Sequence, residues 1–391
     1  MFKVTFSFED GSMVETFANA GDNLLEVARG ANVAIDAPCS GNGACGKCRV
    51  QLKSGELESK KTLHISDEEY QAGWRLSCCS KISADVNVLV PDIASAYKSR
   101  MKVADLSSKE EIAIFENAKS DIQLAGIELK NSLEVVDVLM DVPSLDDTMP
   151  DNERLTRALR KYLNINRVRI PYVVLKKLPD VLRENNFAVK CVIRATSDDM
   201  YVYDIFGKDE DVVIGGLAID IGTTTVSAVL INMENGEILA KSSAGNGQIR
   251  FGADVINRIV ESQKPGGQKK LQDAVIKETI NPMIHEMCKS AKFPKDHIYR
   301  MCVASNTTMN HLFAGINADP LRTEPYIPAF FKTNSLFASD VGVDINKDAH
   351  IIMAPNIGSY VGGDITAGTL VSQIWNRPEF SLFIDLGTNG E

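Results

Sequence analysis

The segment CSGNGACGKC, Cys39 to Cys48, places three cysteines within ten residues and separates them with glycines. Five of the eight cysteines of the chain lie in its first fifth: Cys39, Cys45, Cys48, Cys78 and Cys79. In a reducing compartment such crowding indicates metal binding or redox chemistry more often than disulfide bonds. The glycines suit a loop that wraps a bound group, since positions 41, 43 and 46 tolerate the positive φ that turns backbone amides toward sulfur.

The spacing of these cysteines distinguishes between metal sites. It reads C-x5-C-x2-C, followed by a gap of 29 residues to Cys78. Structural zinc sites usually use two matched C-x2-C pairs, whereas three cysteines plus one distant cysteine fit a [2Fe–2S] cluster. We therefore predict the ligands Cys39, Cys45, Cys48 and Cys78.

Cys79 is the ambiguous neighbour of the fourth predicted ligand. Adjacent side chains in an extended segment point in opposite directions, so only one of Cys78 and Cys79 could face a cluster there. The spacing favours Cys78. Cys79 is then a buried thiol, with the role of substitute ligand as the alternative.

The flanking sequence fits the same interpretation. A hairpin is predicted to turn at Asp10-Gly11, a short helix DNLLEVARG to end at Gly30, and further strands to lie in CRVQLKSGELE and DVNVLVP. This order resembles the β-grasp ferredoxin domain, and WRLSCC resembles the segment that carries its last ligand. The first gap has five residues rather than four. The resemblance implies a ferredoxin domain over residues 1–91, with Trp74 packing beside the cluster.

Residues 92–111 read as a linker, and residues 112–211 as a small α/β middle domain. DNERLTRALRKYLN predicts a helix, with leucines at positions 155, 159 and 163 and Asp151 as its cap. FAVKCVIRA and MYVYDIF predict strands. The acidic segment MDVPSLDDTMPDNE reads as a solvated loop rather than a metal site. Cys191 and Cys302 lie in strand-like runs and are predicted to be buried.

A second motif begins at Gly216, in GLAIDIGTTTVSAVLINMENGEILA. A buried strand delivers Asp220, a turn follows with Gly222 and three threonines (Thr223, Thr224 and Thr225), and a second strand runs back to an Asn235-Gly236 turn. Such a turn presents amides and hydroxyls to phosphate oxygens, and a carboxylate at the strand end can hold hydrated Mg²⁺. The Gly-Lys-Ser/Thr element of a Walker A loop is absent from the sequence.

The segment SLFIDLGTNGE repeats this pattern about 165 residues later. It predicts an apolar strand, then Asp385, then the loop residues Gly387, Thr388, Asn389 and Gly390. The pair resembles the two phosphate loops of the ribonuclease H-like superfamily that contains actin, hexokinase and the heat-shock ATPases. The resemblance implies a Mg-ATP site in an ATPase domain over residues 212–391.

In that superfamily a polar residue near the attacking water lies on the helix before the second loop. The resemblance therefore implies a role for Asp364 beside Asp220 and Asp385 in catalysis, with a helix cap as the alternative for Asp364. Further polar residues at predicted strand ends are candidates for the same cleft: Gln248, Asp254, Asn306, Thr307 and Thr308.

The combination of both motif sets resembles the reductive activators of corrinoid proteins. That resemblance implies a corrinoid protein of a methyltransferase system as partner, a low-potential electron donor, and ATP-driven reduction of Co(II) to Co(I). The corrinoid-binding D-x-H-x-x-G signature is absent from the sequence. The alternatives are an electron-transfer protein whose actin-like domain only docks a partner, and a small-molecule kinase with an accessory cluster. Because the sequence stops at the second loop, we expect it to be a piece of a longer protein.

Composition excludes other classes of function. A net charge of −10 argues against a nucleic-acid surface. No apolar run reaches the roughly 18 residues of a membrane span, and the N-terminus lacks the apolar core of a signal peptide. We therefore predict a cytoplasmic protein, for which a homodimer is one possible assembly.

Overall fold

The computed structural model describes residues 1–391 except 9–10, 12, 32, 34, 36, 38–42, 44–45, 92–108, 130–131, 164, 253, 334–335 and 386–391. Its strands form three larger sheets and one two-stranded sheet. We refer to the parts of the chain around the three larger sheets, in chain order, as the first, second and third units. Helices and strands of the described residues are numbered in chain order.

The first unit is a mixed sheet with a short helix packed against it. Its strands are β1 (Phe2–Phe8), β2 (Met13–Ala18), β3 (Arg49–Ser54), β4 (Leu57–Ser59), β5 (Trp74–Leu76), β6 (Ser80–Ile82) and β7 (Val86–Val90), and its helices are α1 (Leu24–Gly30) and α2 (Asp67–Gln71). The sheet order is β2-β1-β7-β3-β5, with β1 and β7 parallel, and β4 pairs with β6. The predicted hairpin, helix and strands are all present, as expected for a β-grasp fold.

Local chemistry explains these elements. Gly11 closes the β1–β2 hairpin with a φ of 84°, which a residue with a side chain rarely adopts. Asn23 caps α1, and its side chain accepts hydrogen bonds from the backbone of Leu25 and Glu26. Alternate residues of β1 and β7, such as Phe6 and Val88, are fully buried against α1.

The second unit is a four-stranded sheet covered on one face by two helices. Helix α3 (Lys109–Leu124) precedes it, and its elements are β8 (Leu133–Leu139), α4 (Asp151–Leu163), β9 (Arg167–Arg169), α5 (Tyr172–Glu184), β10 (Ala188–Ala195) and β11 (Asp199–Gly207). The sheet order is β8-β10-β11-β9. Leu155 and Leu159 are fully buried, as the helical spacing predicts. Asp151 is the first residue of α4 rather than its cap.

The third unit contains the sheet β14-β13-β12-β15-β16. Its strands are β12 (Gly215–Ile221), β13 (Thr225–Asn232), β14 (Ile238–Gly245), β15 (Ile298–Ala304) and β16 (His350–Met353). The first three strands form an antiparallel meander, and β15 and β16 run parallel to β12. This is the strand order of ribonuclease H-like folds, and it brings the carboxyl ends of β12, β15 and β16 to one edge.

The helices of the third unit cover this sheet. They are α6 (Val255–Ser262), α7 (Gly267–Val275), α8 (Asn281–Ala291), α9 (Thr307–Ala314), α10 (Ala338–Val341) and α11 (Gly363–Ser372). A π-helical turn, Ile276–Ile280, joins α7 to α8. The Asn235-Gly236 turn forms as predicted, with Gly236 at a φ of 76°.

Aromatic residues join the second and third units. Tyr203 of β11 and Tyr299 of β15 are buried in one cluster, with ring centroids 5.8 Å apart. The Tyr203 hydroxyl also hydrogen-bonds His350 Nδ1 at 2.5 Å.

One predicted burial is wrong. Cys191 is buried in β10, but Cys302 of β15 is exposed. Its neighbours Met301 and Val303 point into the core, so strand alternation turns Cys302 to the opposite face, where it pairs with the exposed Ala218 and Ile352. Among the described residues, no helix is both long and apolar enough to cross a membrane.

Candidate functional site

Two of the predicted metal ligands, Cys48 and Cys78, lie side by side. Cys48 directly precedes β3, and Cys78 lies in a 3₁₀ turn (Ser77–Cys79) directly after β5. Pairing of Arg49 with Leu76 aligns the two strands, and the Ser77 amide donates to the Cys48 carbonyl at 2.8 Å. The two sulfurs are 3.1 Å apart, and both residues are buried. Cys39 and Cys45 lie outside the described residues.

The geometry of this pair fits one tetrahedral metal. Metal–thiolate bonds of about 2.3 Å place two sulfurs about 3.8 Å apart, so a small side-chain adjustment is sufficient. Gly43 and Gly46 have φ values of 71° and 67°, as predicted; Gly41 lies outside the described residues. A Cβ atom at Gly46 would lie 2.6 Å from the His64 Cβ atom, so the loop needs glycine there for space as well as for φ.

The two thiols differ in acidity. The hydrogen bond with the Cys78 side chain, opposed by burial, lowers the pKa of Cys48 to about 6. That hydrogen bond, together with burial and the nearby Cys48 charge, raises the pKa of Cys78. Of the two thiols, Cys48 therefore ionises more readily, and the thiolate is the form in which cysteine binds metals.

The backbone at Cys79 differs from the extended conformation that was predicted. Residues 77–79 form a turn rather than an extended segment, so the alternation that was expected to separate the two side chains does not hold. The sulfurs of Cys78 and Cys79 are 3.6 Å apart, and a Cβ atom at Gly43 would lie 3.0 Å from the Cys79 sulfur. The assignment of Cys78 as the ligand therefore stays a prediction that depends on spacing.

Neighbouring side chains hold the Cys78 turn in place. The Asn23 side-chain amide donates to the Cys78 carbonyl at 2.8 Å, so the residue that caps α1 also fixes this turn. Trp74 packs against the core of the first unit, and the Arg49 guanidinium lies over its ring; its packing beside a cluster stays a prediction.

The second candidate site begins at the turn between β12 and β13. Asp220 pairs with Ser227 just before the turn, and Thr225 is the first residue of β13. A Cβ atom at Gly222 would lie 2.6 Å from the Thr225 carbonyl oxygen, so the turn can close only with glycine at this position.

A buried arginine lies beneath this turn. The Arg258 side chain is fully buried and donates to the carbonyls of Thr223 and Gly252 and to the Gln248 side chain. Loss of hydration lowers the pKa of Arg258 to about 9, opposed by the charge of Asp254. The guanidinium stays protonated at neutral pH, so it places a positive charge beneath the proposed phosphate loop.

Asn246 and Asn306 hold the turn from its sides. The Asn246 amide donates to the Gly222 carbonyl at 2.8 Å, and the Asn306 amide donates to the Thr223 hydroxyl at 3.4 Å. The turn that was predicted to bind phosphate is therefore built on fixed polar contacts.

The structure brings the three predicted catalytic carboxylates together. The Asp220 side chain is exposed, but the surrounding protein displaces part of its water. This loss of hydration, followed by the negative charges of Asp364 and Asp385, raises the pKa of Asp220 to about 6. Burial also raises the pKa of Asp364, and Asp385 adds to this shift. Mutual repulsion of this kind requires the side chains to be close, as around a cation or a proton-transfer site.

Glycines allow Asp364 to approach the site. Asp364 is the second residue of α11, and Gly362 is the cap, so the alternative role of Asp364 as helix cap does not apply. A Cβ atom at Gly362 would lie 2.3 Å from the Asn306 Cα atom, and one at Gly363 would lie 2.6 Å from the Ala354 carbonyl. The Gly-Gly pair therefore lets α11 begin against the ends of β15 and β16.

These carboxylates do not form a complete metal cage. Within the described ranges, no three histidine, cysteine or acidic side chains converge closely enough to hold an ion directly. Mg²⁺ is usually held by one or two carboxylates together with waters and substrate phosphates, and such a site fits these residues.

The other polar residues that were predicted to lie in the cleft make hydrogen bonds within the fold or cap helices. Gln248 is fully buried between Arg258 and the Leu271 carbonyl, and Asp254 caps α6. The Asn306 side chain caps α9, besides touching the turn. Thr307 donates to the Gly358 carbonyl at 2.6 Å, and the buried Thr308 hydroxyl has no hydrogen-bond partner among the residues that the structure describes.

The strand predicted before Asp385 is wrong for the described residues. Residues 381–385 have no regular secondary structure, and Leu382 and Ile384 are exposed. A strand needs a hydrogen-bonded neighbour, and no strand of the described chain pairs with this segment. Phe383 instead packs onto Gly368 of α11. Gly387, Thr388, Asn389 and Gly390 lie outside the described residues.

Sequence reasoning missed Arg258 and Asn246. The signal for Arg258 was present, because it lies between Val255 and Ile259 on the apolar face of a short helix. A charged residue on such a face is either paired or placed for function.

Three family models match the chain in order. The 2Fe-2S iron-sulfur cluster binding domain matches residues 7–83, the RACo linker region matches 122–212, and the RACo middle region matches 215–377.

Individual relatives agree with this order. The chain is 28% identical to the corrinoid activation enzyme RamQ of Eubacterium limosum over 94% of this chain and 55% of that protein. It is 34% identical to one component of the Na(+)-translocating NADH-quinone reductase of Actinobacillus succinogenes, over 23% of this chain and 22% of that one. The solved structure of a reductive activator for corrinoid, iron-sulfur protein matches all of this chain and 60% of its own, at 33% identity and a TM-score of 0.60. The chain thus spans a little over half the length of RamQ.

Proposed function

We propose that this chain, which resembles reductive activators of corrinoid proteins along its length, passes one electron from a [2Fe–2S] cluster to the Co(II) of a corrinoid protein. Mg-ATP would drive the transfer, and the resulting Co(I) would accept a methyl group in a methyltransferase system. The observation that carries the proposal is the presence of two sites in one chain: the Cys48–Cys78 sulfur pair, and the carboxylates of Asp220, Asp364 and Asp385 beside a glycine-threonine turn.

In the first unit, we propose that four thiolates hold the cluster: Cys39, Cys45, Cys48 and Cys78. The described pair supports this, because its sulfurs lie close enough to reach one iron and the pKa of Cys48 is lowered, which favours the thiolate. The bound cluster would supply one-electron chemistry at low potential. The protein supplies the burial, the turn amides and the glycine loop that orient the sulfurs.

In the third unit, we propose that Asp220 and Asp385 hold hydrated Mg²⁺. The turn from Gly222 to Thr225 and the loop 387–390 would bind the phosphates. Asp364 would orient the attacking water, since its raised pKa makes it a better proton acceptor than an ordinary aspartate. The proposed domains are ferredoxin (1–91), linker (92–111), middle (112–211) and ATPase (212–391).

ATP is required on energetic grounds. Clusters of this type have potentials near −400 mV, and protein-bound Co(II) is expected to be harder to reduce. For a one-electron transfer, each unfavourable difference of about 59 mV in reduction potential lowers the equilibrium constant tenfold. Nucleotide binding can overcome such a gap only by favouring the complex in which cobalt is easier to reduce.

The proposed partners follow from the same chemistry. A cytoplasmic low-potential donor would reload the cluster, and the corrinoid protein would accept the electron. Neither nucleic acid nor a membrane is needed, and a homodimer is compatible with the proposal.

The cluster part of the proposal is tested by iron and sulfide analysis. Anaerobically purified protein should contain about two iron and two sulfide per chain. Replacing Cys39, Cys45, Cys48 or Cys78 with serine should remove or alter the visible spectrum, whereas Cys79→Ser should preserve it. Loss of the cluster in Cys79→Ser protein alone would overturn the ligand assignment.

The whole function is tested by measuring cobalt reduction and ATP hydrolysis together, in a chain extended to the length of its relatives. Asp220→Asn should abolish both, while the exposed loop variant Asp209→Asn should keep both, and neither should change the cluster spectrum. If Asp220→Asn still reduces the partner at the normal rate, ATP does not drive the electron. Electron transfer with no ATP turnover in the unmodified protein would favour the alternative, an electron-transfer protein whose third unit only docks a partner.

A further inference from the structure

Two arginines lie close together where the second and third units meet. Arg194 of β10 pairs with Tyr201 of β11, and Arg300 of β15 pairs with His350 of β16. The ring centroids of Tyr201 and His350 are 6.1 Å apart. Because directly paired residues of neighbouring strands project from the same face of a sheet, this ring contact brings both guanidinium groups to one place. In agreement, burial lowers the pKa of Arg300, and the charge of Arg194 adds to this shift.

Neither arginine has a partner of opposite charge. Both side chains are partly buried, yet among the described residues no ion pair involves Arg194 or Arg300, and the Nε atom of each is buried without a hydrogen-bond partner. Asp348 lies near the same rings, since its charge, after the larger effect of burial, raises the pKa of Tyr201. No ion pair joins Asp348 to either arginine, and its Oδ2 atom is also unpartnered within the described part of the chain. Unpartnered polar atoms gathered at one junction indicate a bound ion or water.

The histidine of this cluster does not change the balance of charge. Burial, followed by the charges of Arg194 and Arg300, lowers the pKa of His350 to about 4, so the imidazole is neutral at pH 7. Its Nδ1 atom is hydrogen-bonded to the Tyr203 hydroxyl at 2.5 Å. The junction therefore holds two positive charges that no described ion pair offsets. Such charges repel each other and lose hydration, so a fold retains them where a ligand compensates them.

We propose that Arg194 and Arg300 bind a phosphate group between the second and third units. A guanidinium forms two parallel hydrogen bonds with phosphate oxygens, and a phosphate dianion carries the two negative charges that balance this pair. A carboxylate would balance only one of them. Ligand sites are common where two packed units meet. Free phosphate and the phosphate group of a larger molecule share this chemistry, and the inference does not depend on the proposed function.

The test is isothermal titration calorimetry of the whole chain with inorganic phosphate and, separately, with glycerol 3-phosphate, at constant ionic strength. We expect inorganic phosphate to bind with a Kd below about 1 mM. Arg194→Gln and Arg300→Gln should each weaken binding at least about tenfold, because each removes a charge-assisted pair. Arg322→Gln removes an arginine that is already paired with Asp319, and it should leave the Kd unchanged. Equal affinity for both probes would identify the phosphate group of a larger molecule as a ligand, and binding of inorganic phosphate alone would identify the free ion.

A stability measurement separates loss of the site from loss of the fold. Without phosphate, Arg194→Gln and Arg300→Gln should melt no lower than the wild-type protein, because each relieves the repulsion between the two charges. Phosphate should raise the melting temperature of wild-type protein and of Arg322→Gln, but not that of the other two variants. If a glutamine variant does not fold, the lysine variant at that position carries the test. It keeps the charge without the planar fork and should weaken binding about threefold.

Other results would overturn the inference. One is wild-type protein that binds neither probe. Another is an unchanged Kd in both glutamine variants or in the lysine variants, because the phosphate would then lie elsewhere, as at the turn from Gly222 to Thr225. An equal loss of binding in Arg322→Gln would show that net charge, rather than this pair, attracts the ion. None of these results affects the proposed cluster or the carboxylate site.

Discussion

At the scale of single residues, Asp220 has a proposed catalytic role and also lowers the free energy of unfolding when it is ionised. Its folded-state pKa of about 6 lies above the ordinary value of 3.8, so the folded protein binds more protons than the unfolded chain between these values. The ionised Asp220 carboxylate therefore destabilises the fold at pH values above about 6. This destabilisation disappears as the pH falls below 3.8, the ordinary pKa that the group has in the unfolded chain.

We expect Asp220→Asn to stabilise the chain by about 1 kcal/mol at pH 7.5, an amount reduced for the solvent access of the side chain. The gain should shrink steadily as the pH is lowered from about 6.5 to about 4. Urea unfolding across this range measures it, with Asp209→Asn in an exposed loop as the control. A gain that is independent of pH would show that repulsion in the carboxylate cluster is not its cause.

Arg258 has the opposite effect on stability. Arg258→Met should cost about 3 kcal/mol or more, because buried acceptors at Thr223, Gly252 and Gln248 lose their donor. Arg322→Met removes a partly exposed ion pair with Asp319 and should cost less than about 1 kcal/mol. Chemical denaturation of the two variants compares them, and similar losses would contradict the structural role of Arg258.

The sequence was most informative for residues whose spacing is set by local geometry. The cysteine spacing predicted Cys48 and Cys78, whose sulfurs lie 3.1 Å apart, and the repeated Asp-x-Gly pattern predicted Asp220 and Asp385, whose charges interact. Arg258 was missed although it lies on the apolar face of its helix, because residue types do not reveal that it donates to the backbone carbonyls of Thr223 and Gly252. The expected separation of the Cys78 and Cys79 side chains assumed an extended backbone, whereas residues 77–79 form a turn, so the choice between the two cysteines stays a prediction.

At the scale of elements, the start of α11 is the most tightly constrained helix end in the site. Gly362→Ala would place a methyl group 2.3 Å from the Asn306 Cα atom, so α11 must shift or the strand end must move. Overpacking of this kind costs about 2–3 kcal/mol.

Gly358→Ala is the matched control, because no atom of the described residues beyond its chain neighbours lies within 4 Å of a Cβ atom there. It should change stability by less than about 0.5 kcal/mol. Thermal unfolding of both variants gives the comparison. Equal melting temperatures would show that the loop around position 362 relaxes freely.

Elements with strong periodicity and local caps were predictable, including α1, α4, β10 and β11. The apolar run before Asp385 gave the same signal as a true strand. It does not form one here because pairing depends on a neighbouring strand, and periodicity carries no information about whether a neighbour is present.

At the scale of the whole molecule, Tyr203 and Tyr299 lie in one buried aromatic cluster that joins the second and third units, so we expect these two units to unfold together. The first unit has a separate core and is joined through residues 92–108. We expect Tyr203→Ala to lower the unfolding transition of the second and third units by about 3 kcal/mol, because both sheets lose packing at once.

The transition of the first unit, followed by cluster absorbance, should not move in that variant. Phe6→Ala should have the reverse effect, since Phe6 is fully buried in the core of the first unit. Calorimetry with absorbance detection separates the two transitions. One shared transition shifted by both substitutions would contradict this division.

Helix α3 contacts the third unit of the molecule. It is the first described element after residue 108, and it packs against α11, whose second residue is Asp364. The Lys119 side chain of α3 also lies close to the turn at Gly236. The first described helix after residue 108 therefore packs against the helix that carries Asp364. We expect a tilt of α11 at the carboxylate site to shift α3 as well, so that binding at that site repositions the first described helix after residue 108.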